Sequence, residues 1–145
     1  MLKKGYRQLL EEADAEIETV LAEDSFALRR DPDVVFVDIR DVRELDREGM
    51  IEGALHAPRG MLEFWVDPES PYHKEVFASG KRFVLYCATG WRSALTAKAL
   101  QDMGLGPVCH LGGGISAWKE AGGALVARPG KKPRVAASEE KDSEA

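Results

Sequence analysis

Phe83-Val84-Leu85-Tyr86-Cys87-Ala88-Thr89-Gly90-Trp91-Arg92-Ser93 is the stretch around which the rest of the chain orders itself. The apolar run Phe83 to Tyr86 ends on Cys87 and reads as a buried strand running into a tight turn. After the turn, Leu95, Ala99 and Met103 recur at every fourth position while Lys98, Gln101 and Asp102 take the other side. That spacing predicts an amphipathic helix closed by Gly104. The order is strand, cysteine loop, helix. A thiol at such a junction faces the unpaired N–H groups of a first helical turn and the positive end of the helix dipole, both of which favour thiolate over thiol. Reactive cysteines are found in such electropositive settings, and Arg92, five residues after Cys87, supplies a cation.

Outward from this centre, strands and helices alternate. Downstream, Pro107 to Leu111 reads as the last strand, Gly112 to Gly114 as a permissive turn, and Ile115 to Ala121 as a short helix ended by Gly122 and Gly123. Upstream, Val34 to Val37 is a continuous apolar run ending in Asp38-Ile39-Arg40, the pattern of a strand buried on both faces of a parallel sheet. Leu55 to Ala57 reads as a brief strand left through the turn Pro58-Arg59-Gly60. The aromatic-rich stretch Met61 to Val66, the loop Asp67 to Pro71 and one or two helical turns over Tyr72 to Phe77 are expected to form one rim of the site's mouth. At the start of the chain Tyr6, Leu9, Leu10, Ala13 and Ile17 fall at helical intervals, which predicts an amphipathic helix over residues 1–15 that covers the sheet or a partner. Ile17 to Val20 reads as a first strand or as a continuation of that helix, and Ala22 to Arg30 as a short helix stopped ahead of Pro32. This alternation predicts an α/β fold, a parallel sheet with helices on both faces. In such sheets ligands bind beyond the carboxyl ends of the strands, where Cys87 falls. From residue 128 to 145 the chain is polar with no apolar period and is expected to be a disordered tail.

Three stretches together carry a family resemblance. Cys87, four intervening residues and Arg92, followed by Ser93, resemble the active-site loop of rhodanese-domain sulfurtransferases. The stretch Val37-Asp38-Ile39-Arg40, then Glu44, Gly49, Ile51, Gly53 and Ala54, resembles the segment preceding that loop in the family, and Leu111-Gly112-Gly113-Gly114-Ile115-Ser116-Ala117-Trp118 resembles the family's last turn and helix. Met50 and Glu52 depart from it, standing where the family often has histidine and proline. The resemblance covers about residues 17–125 and implies a rhodanese-like domain over residues 16–127. It implies a rhodanese-like fold with a central parallel five-stranded sheet, favours the strand at Ile17 to Val20, and implies a thiosulfate sulfurtransferase that carries sulfane sulfur as a Cys87 persulfide. Cysteine phosphatases and arsenate reductases carry one more residue between cysteine and arginine; by resemblance the shorter loop suits a cysteine bearing one extra sulfur.

Composition narrows the partners. At 145 residues the chain fits one domain. A net charge of −5 argues against nucleic acid as the main partner, since phosphate binding needs a basic face. No apolar run is long enough to span a bilayer and Met1 to Gly5 has no secretory character, so a cytoplasmic location and no membrane are expected. Cys87 and Cys109 are not expected to form a disulfide, and His56, His73 and His110 show no metal-ligand spacing, so neither metal nor cofactor is expected. Partners are then small sulfur-containing anions such as thiosulfate, a thiol or cyanide acceptor, or a protein that accepts sulfur; the oligomeric state stays open.

Among single residues, Cys87 is the candidate nucleophile, and Ala88, Thr89, Gly90, Trp91 and Arg92 the loop that binds substrate and persulfide. Arg92 anchors this loop or an anionic substrate, because guanidinium suits oxyanions. Trp91 packs against the rim or shapes the entrance. Arg59 is a candidate for drawing anions to the mouth, and Asp38 with Arg40 for a structural ion pair that anchors the loop. Cys109, inside an apolar strand, reads as core. No histidine lies beside Cys87 in sequence, and the loop amides with Arg92 are read as sufficient activators. Two other classes stay open: a non-catalytic sulfur-carrier or protein-binding module, and a phosphatase or arsenate reductase using the same cysteine.

Overall fold

The computed structural model describes residues 1–130; most of the polar tail expected over 128–145 lies outside the described residues. Five parallel strands form the sheet: β1 (Glu18–Val20), β2 (Val34–Asp38), β3 (Leu55–His56), β4 (Arg82–Tyr86) and β5 (Val108–Leu111), in the spatial order β1-β5-β4-β2-β3. Six α-helices accompany them: α1 (Tyr6–Glu16), α2 (Ala22–Arg29), α3 (Val42–Glu48), α4 (Leu62–Val66), α5 (Trp91–Asp102) and α6 (Gly114–Glu120). The α/β fold expected from the alternation of elements is the fold observed. Of the stretch Ile17 to Val20, Ile17 ends α1 and Glu18–Val20 form a strand, paired to Cys109, His110 and Leu111.

Side chains along β4 alternate between two cores, as period-two geometry requires. Phe83, Leu85 and Cys87 enter one core with Val37, Ile39, Ala13, Ile17, Leu62, Ala94, Ala97 and Leu100. Val84 and Tyr86 enter the other with Phe36, Cys109, Leu111, Ile51, Ile115 and Trp118. Helices therefore cover both faces, which is why β2 and β4 read as unbroken apolar runs. The N-terminal helix packs on α5 of its own chain: Gln101 Nε2 donates to the Glu16 carbonyl at 2.9 Å, and Ala13 is fully buried. No helix among the described residues is long and apolar enough to cross a membrane.

Two places differ from the sequence reading. Residues 42–48 carry no apolar period in sequence, yet Asp41 and Glu44 form a reciprocal capping box that starts α3. The segment expected to form a rim of the mouth lies mostly elsewhere. Val66, Asp67, Pro68, Phe77 and Ala78 line a cleft with Met103, Gly104 and Leu105, at the end of α5 away from Cys87. The cause is Phe77, which stacks on Phe83 at 5.1 Å and so ties the segment to the start of β4 rather than its end. Of the two departures from the family pattern, Met50 is buried and its backbone pairs with Val126, while Glu52 pairs with Arg29 at 2.9 Å on the surface.

Candidate active site

β4 is central in the sheet, and its apolar side chains are held by both cores, so the residue after it has a fixed position. That residue is Cys87, 1% exposed. Its Sγ accepts a hydrogen bond from the Gly90 amide at 3.2 Å. Gly90 has φ +108° and forms the N-cap of α5; the left-handed backbone there turns the loop so that its amide points back at the sulfur. Trp91, Arg92 and Ser93 precede the first intrahelical bond, from the Ala94 N–H to the Gly90 carbonyl at 3.1 Å, so their amides have no acceptor within the helix. The positive end of the α5 dipole adds to these donors.

The loop hangs on the last helix. The Ile115 and Ser116 amides donate to the Cys87 and Ala88 carbonyls at 2.9 and 3.1 Å. Gly114, at φ +59°, makes this approach possible: a Cβ there would lie 2.5 Å from the Cys87 carbonyl oxygen and 2.7 Å from that of Ala88. The triple glycine read from sequence as a permissive turn is thus a contact surface for the cysteine loop.

Arg92 is clamped by Glu44 of α3, with Nη1 and Nη2 donating to the two carboxylate oxygens at 2.8 and 3.0 Å. The hydrogen bond from Arg92 holds the Glu44 carboxyl below its ordinary range, against a smaller opposing effect of burial. Glu44 in turn holds the guanidinium above its own, with a lesser contribution from the Cys87 sulfur. Arg92 therefore lies beside the sulfur with its charge shared by a carboxylate. Asp38 and Arg40, both fully buried, pair at 2.8 Å just beyond β2, and Arg40 Nη2 also donates to the Gly49 carbonyl at 2.7 Å. Arg59 is exposed at the same end of the sheet, its amide donating to the Ile39 carbonyl at 3.3 Å. Trp91 is 58% exposed and its ring leans on Tyr6 of α1, with centroids 5.1 Å apart.

Two side chains given no place at the site from sequence, His110 and Thr19, reach it through Ser93, the residue that follows the loop. Ser93 Oγ lies 3.6 Å from Cys87 Sγ and 2.9 Å from His110 Nδ1, and His110 Nε2 lies 3.1 Å from Thr19 Oγ1. The histidine absent from the neighbourhood of Cys87 in sequence arrives through the pairing of β5 with β4. Burial pushes the His110 imidazole below its ordinary value, Asp14 opposing, so the ring is neutral near neutral pH. Only the parity of β5 carried a signal for it: His110 faces away from Cys109, and so toward α5.

Cys109 lies apart from the loop, its sulfur 3.6 Å from the Phe83 carbonyl, and burial raises its thiol above the ordinary value despite Arg82 nearby. Both cysteines are free thiols. Among the described residues no group of three His, Cys, Asp or Glu side chains is placed to hold a metal ion.

Comparison with known proteins agrees with this architecture. Residues 22–121 match the rhodanese-like domain family. A sulfurtransferase of Allochromatium vinosum is 37% identical over 98 residues, covering 68% of this chain and 83% of that protein. A solved structure from Rhodopseudomonas palustris, a protein of unknown function described as a possible tyrosine phosphatase, superposes with TM-score 0.84 at 52% identity, covering 87% of this chain and 97% of the other. The polysulfide-sulfur transferase homodimer of Wolinella succinogenes superposes with TM-score 0.63 at 27% identity, covering 86% and 89%. With a cysteine loop between β4 and α5, a five-stranded parallel sheet and a family match over most of its length, this chain belongs to the rhodanese-like domain family.

Proposed function

We propose that the chain moves sulfane sulfur from thiosulfate or a related persulfide donor to a thiophilic acceptor through a persulfide on Cys87. The observation that carries this reading is the sulfur of Cys87 facing the amide-lined N-terminus of α5 at 3.2 Å from the Gly90 nitrogen. In the first half-reaction the Cys87 thiolate attacks the outer sulfur of the donor. The donor's S–S bond breaks, its electron pair leaves with sulfite, and Cys87 keeps one added sulfur as a persulfide anion. The amides of Ala88 to Arg92 spread that negative charge. In the second, the acceptor's electron pair attacks the outer sulfur and the Cys87–sulfur bond breaks, which returns the thiolate. The kinetics are ping-pong.

Because Glu44 occupies Arg92, that residue acts as an anchor of the loop, with Asp38 and Arg40 behind it, and attraction of the dianion falls more to Arg59. The relatives named sulfurtransferase and polysulfide-sulfur transferase support the class of donor. A cytoplasmic thiol or a sulfur-accepting protein is the expected acceptor, with no metal or cofactor.

The test is intact-mass spectrometry after incubation with thiosulfate and then cyanide. The expected result is the gain of one sulfur on the peptide holding Cys87, discharged by cyanide as thiocyanate. No gain from thiosulfate or polysulfide would sink the reading; a gain passed to a protein but not to cyanide would make the chain a carrier. The phosphatase reading is kept open by the description of the Rhodopseudomonas relative, and hydrolysis of an aryl phosphate through Cys87 would favour it. The four-residue span between Cys87 and Arg92 argues against it.

A further inference from the structure

Cys87, Ser93, His110 and Thr19 form one continuous chain of polar contacts, at 3.6, 2.9 and 3.1 Å, running from the reactive sulfur to the edge strand β1. Ser93 is fully buried and His110 nearly so. At its far end Thr19 and His110 line a cleft of about 260 Å³ with Asp14, Leu10, Trp91 and Gly113. The groups facing His110 are Asp14 from α1, Thr19 from β1 and Ser93 from α5.

We infer that Thr19 and His110 position the Ser93 hydroxyl as a donor to the Cys87 sulfur, and that this donor stabilises the thiolate released when the persulfide is discharged. The inference rests on the sulfurtransferase reading. The Cys87 thiol donates to Ser93 Oγ; once the sulfur is a thiolate, Ser93 has one hydroxyl proton and three acceptors within reach: Cys87 Sγ, His110 Nδ1 and the Gly90 carbonyl at 3.3 Å. If the Thr19 hydroxyl donates to Nε2, the neutral ring carries its proton on Nδ1 and donates to Ser93 Oγ. The serine proton is then left to Sγ and to the Gly90 carbonyl, which already accepts the Ala94 amide at 3.1 Å; an anionic sulfur is the stronger acceptor and gains a second donor beside the Gly90 amide. With the proton on Nε2, Ser93 would donate to the ring and the sulfur would lose that donor. Ser93 touches a reacting atom; His110 and Thr19 act through it.

The two half-reactions use this donor differently. In the first, Cys87 is the nucleophile and a hydrogen bond blunts its attack while favouring its ionisation. In the second, Cys87 is the leaving group, and stabilising it speeds departure. His110→Leu is expected to lower kcat/KM for the acceptor roughly tenfold, the scale of one hydrogen bond to a charged group, with a smaller change in kcat/KM for the donor. His110→Asn, whose amide nitrogen can replace Nδ1–H, restores most of the loss, and Thr19→Val falls between.

Equal losses in both half-reactions, or failure of the asparagine to rescue in a protein with unchanged thermal stability, would overturn the inference. Nitrogen NMR of the His110 ring decides it separately. The Nδ1–H tautomer is expected in the wild-type chain, and an Nε2–H tautomer with Cys87 ionised or persulfidated removes the donor chain. If the wild-type protein takes no sulfur from thiosulfate or polysulfide, the sulfurtransferase reading fails on that result, while the tautomer still decides whether Ser93 is aimed at the sulfur.

Discussion

Glu44 and Arg92, 48 residues apart in the chain, meet in a two-pronged ion pair at 2.8 and 3.0 Å beside the Cys87 loop. One oxygen of Glu44 also accepts the Asp41 amide at 3.1 Å, so the carboxylate that caps α3 is the one that holds the cysteine loop. The pair is only partly sheltered, and Glu44→Gln is expected to cost about 1 kcal/mol of stability. The folded-state carboxyl is depressed below its ordinary 4.5. Its contribution is therefore fully present above that pH and is lost as pH falls through the folded value, where the unfolded chain has already taken up its proton. Denaturation curves of the two proteins should differ at neutral pH and converge in acid; a constant gap would separate the stabilisation from the charge.

The Asp38–Arg40 pair is fully buried on both sides. Asp38→Ala leaves a buried guanidinium without its carboxylate and is expected to destabilise the fold by about 3–5 kcal/mol. The double replacement Asp38→Leu with Arg40→Met recovers much of that loss, since an apolar pair carries no desolvation cost. Urea unfolding of the three variants measures both steps.

Gly114→Ala should damage the site through the backbone alone. The added carbon meets two carbonyl oxygens within 2.7 Å, at a residue with φ +59°. A lowered melting temperature together with loss of sulfur loading is expected. Retained loading at full rate would show that the loop does not depend on this approach.

Cys87→Ser keeps the fold, because the hydroxyl fits the same buried volume, and abolishes the gain of sulfur. Mass spectrometry after thiosulfate treatment is the check, and sulfur still appearing on the chain would move the role to Cys109.

Reaction with thiosulfate should slow as salt rises, because exposed Arg59 attracts the dianion through solvent and added ions screen that field within about 10 Å at 0.1 M. Arg59→Ala should flatten the salt dependence while leaving thermal stability unchanged. A rate indifferent to ionic strength in the parent protein removes Arg59 from substrate capture.

The sheet and its order of elements were readable because β2 and β4 are apolar on both faces and the helices between them are not. Cys87 and its loop were readable for the same reason: a strand end, a glycine and an arginine are local features. Glu44, His110 and Thr19 were not recognised as site residues because their roles depend on partners far along the chain. The pairing of β1 with β5 and of β5 with β4 brings His110 and Thr19 there, and of this the sequence shows only the parity of β5. The helix α3 was missed for a different reason. Its capping box, Asp41 to Glu44, stands in the sequence, but seven residues with few apolar positions leave no period to detect.

The amides of Ile115 and Ser116 that hold the Cys87 and Ala88 carbonyls come late in the chain. During synthesis, the segment carrying the thiol emerges well before the residues that complete its surroundings. A growing polypeptide that has passed Cys87 but not yet reached Ser116 holds a cysteine without its cradle. The surroundings of Cys87 are therefore completed only with closure of the domain, when the last helix reaches back to the loop.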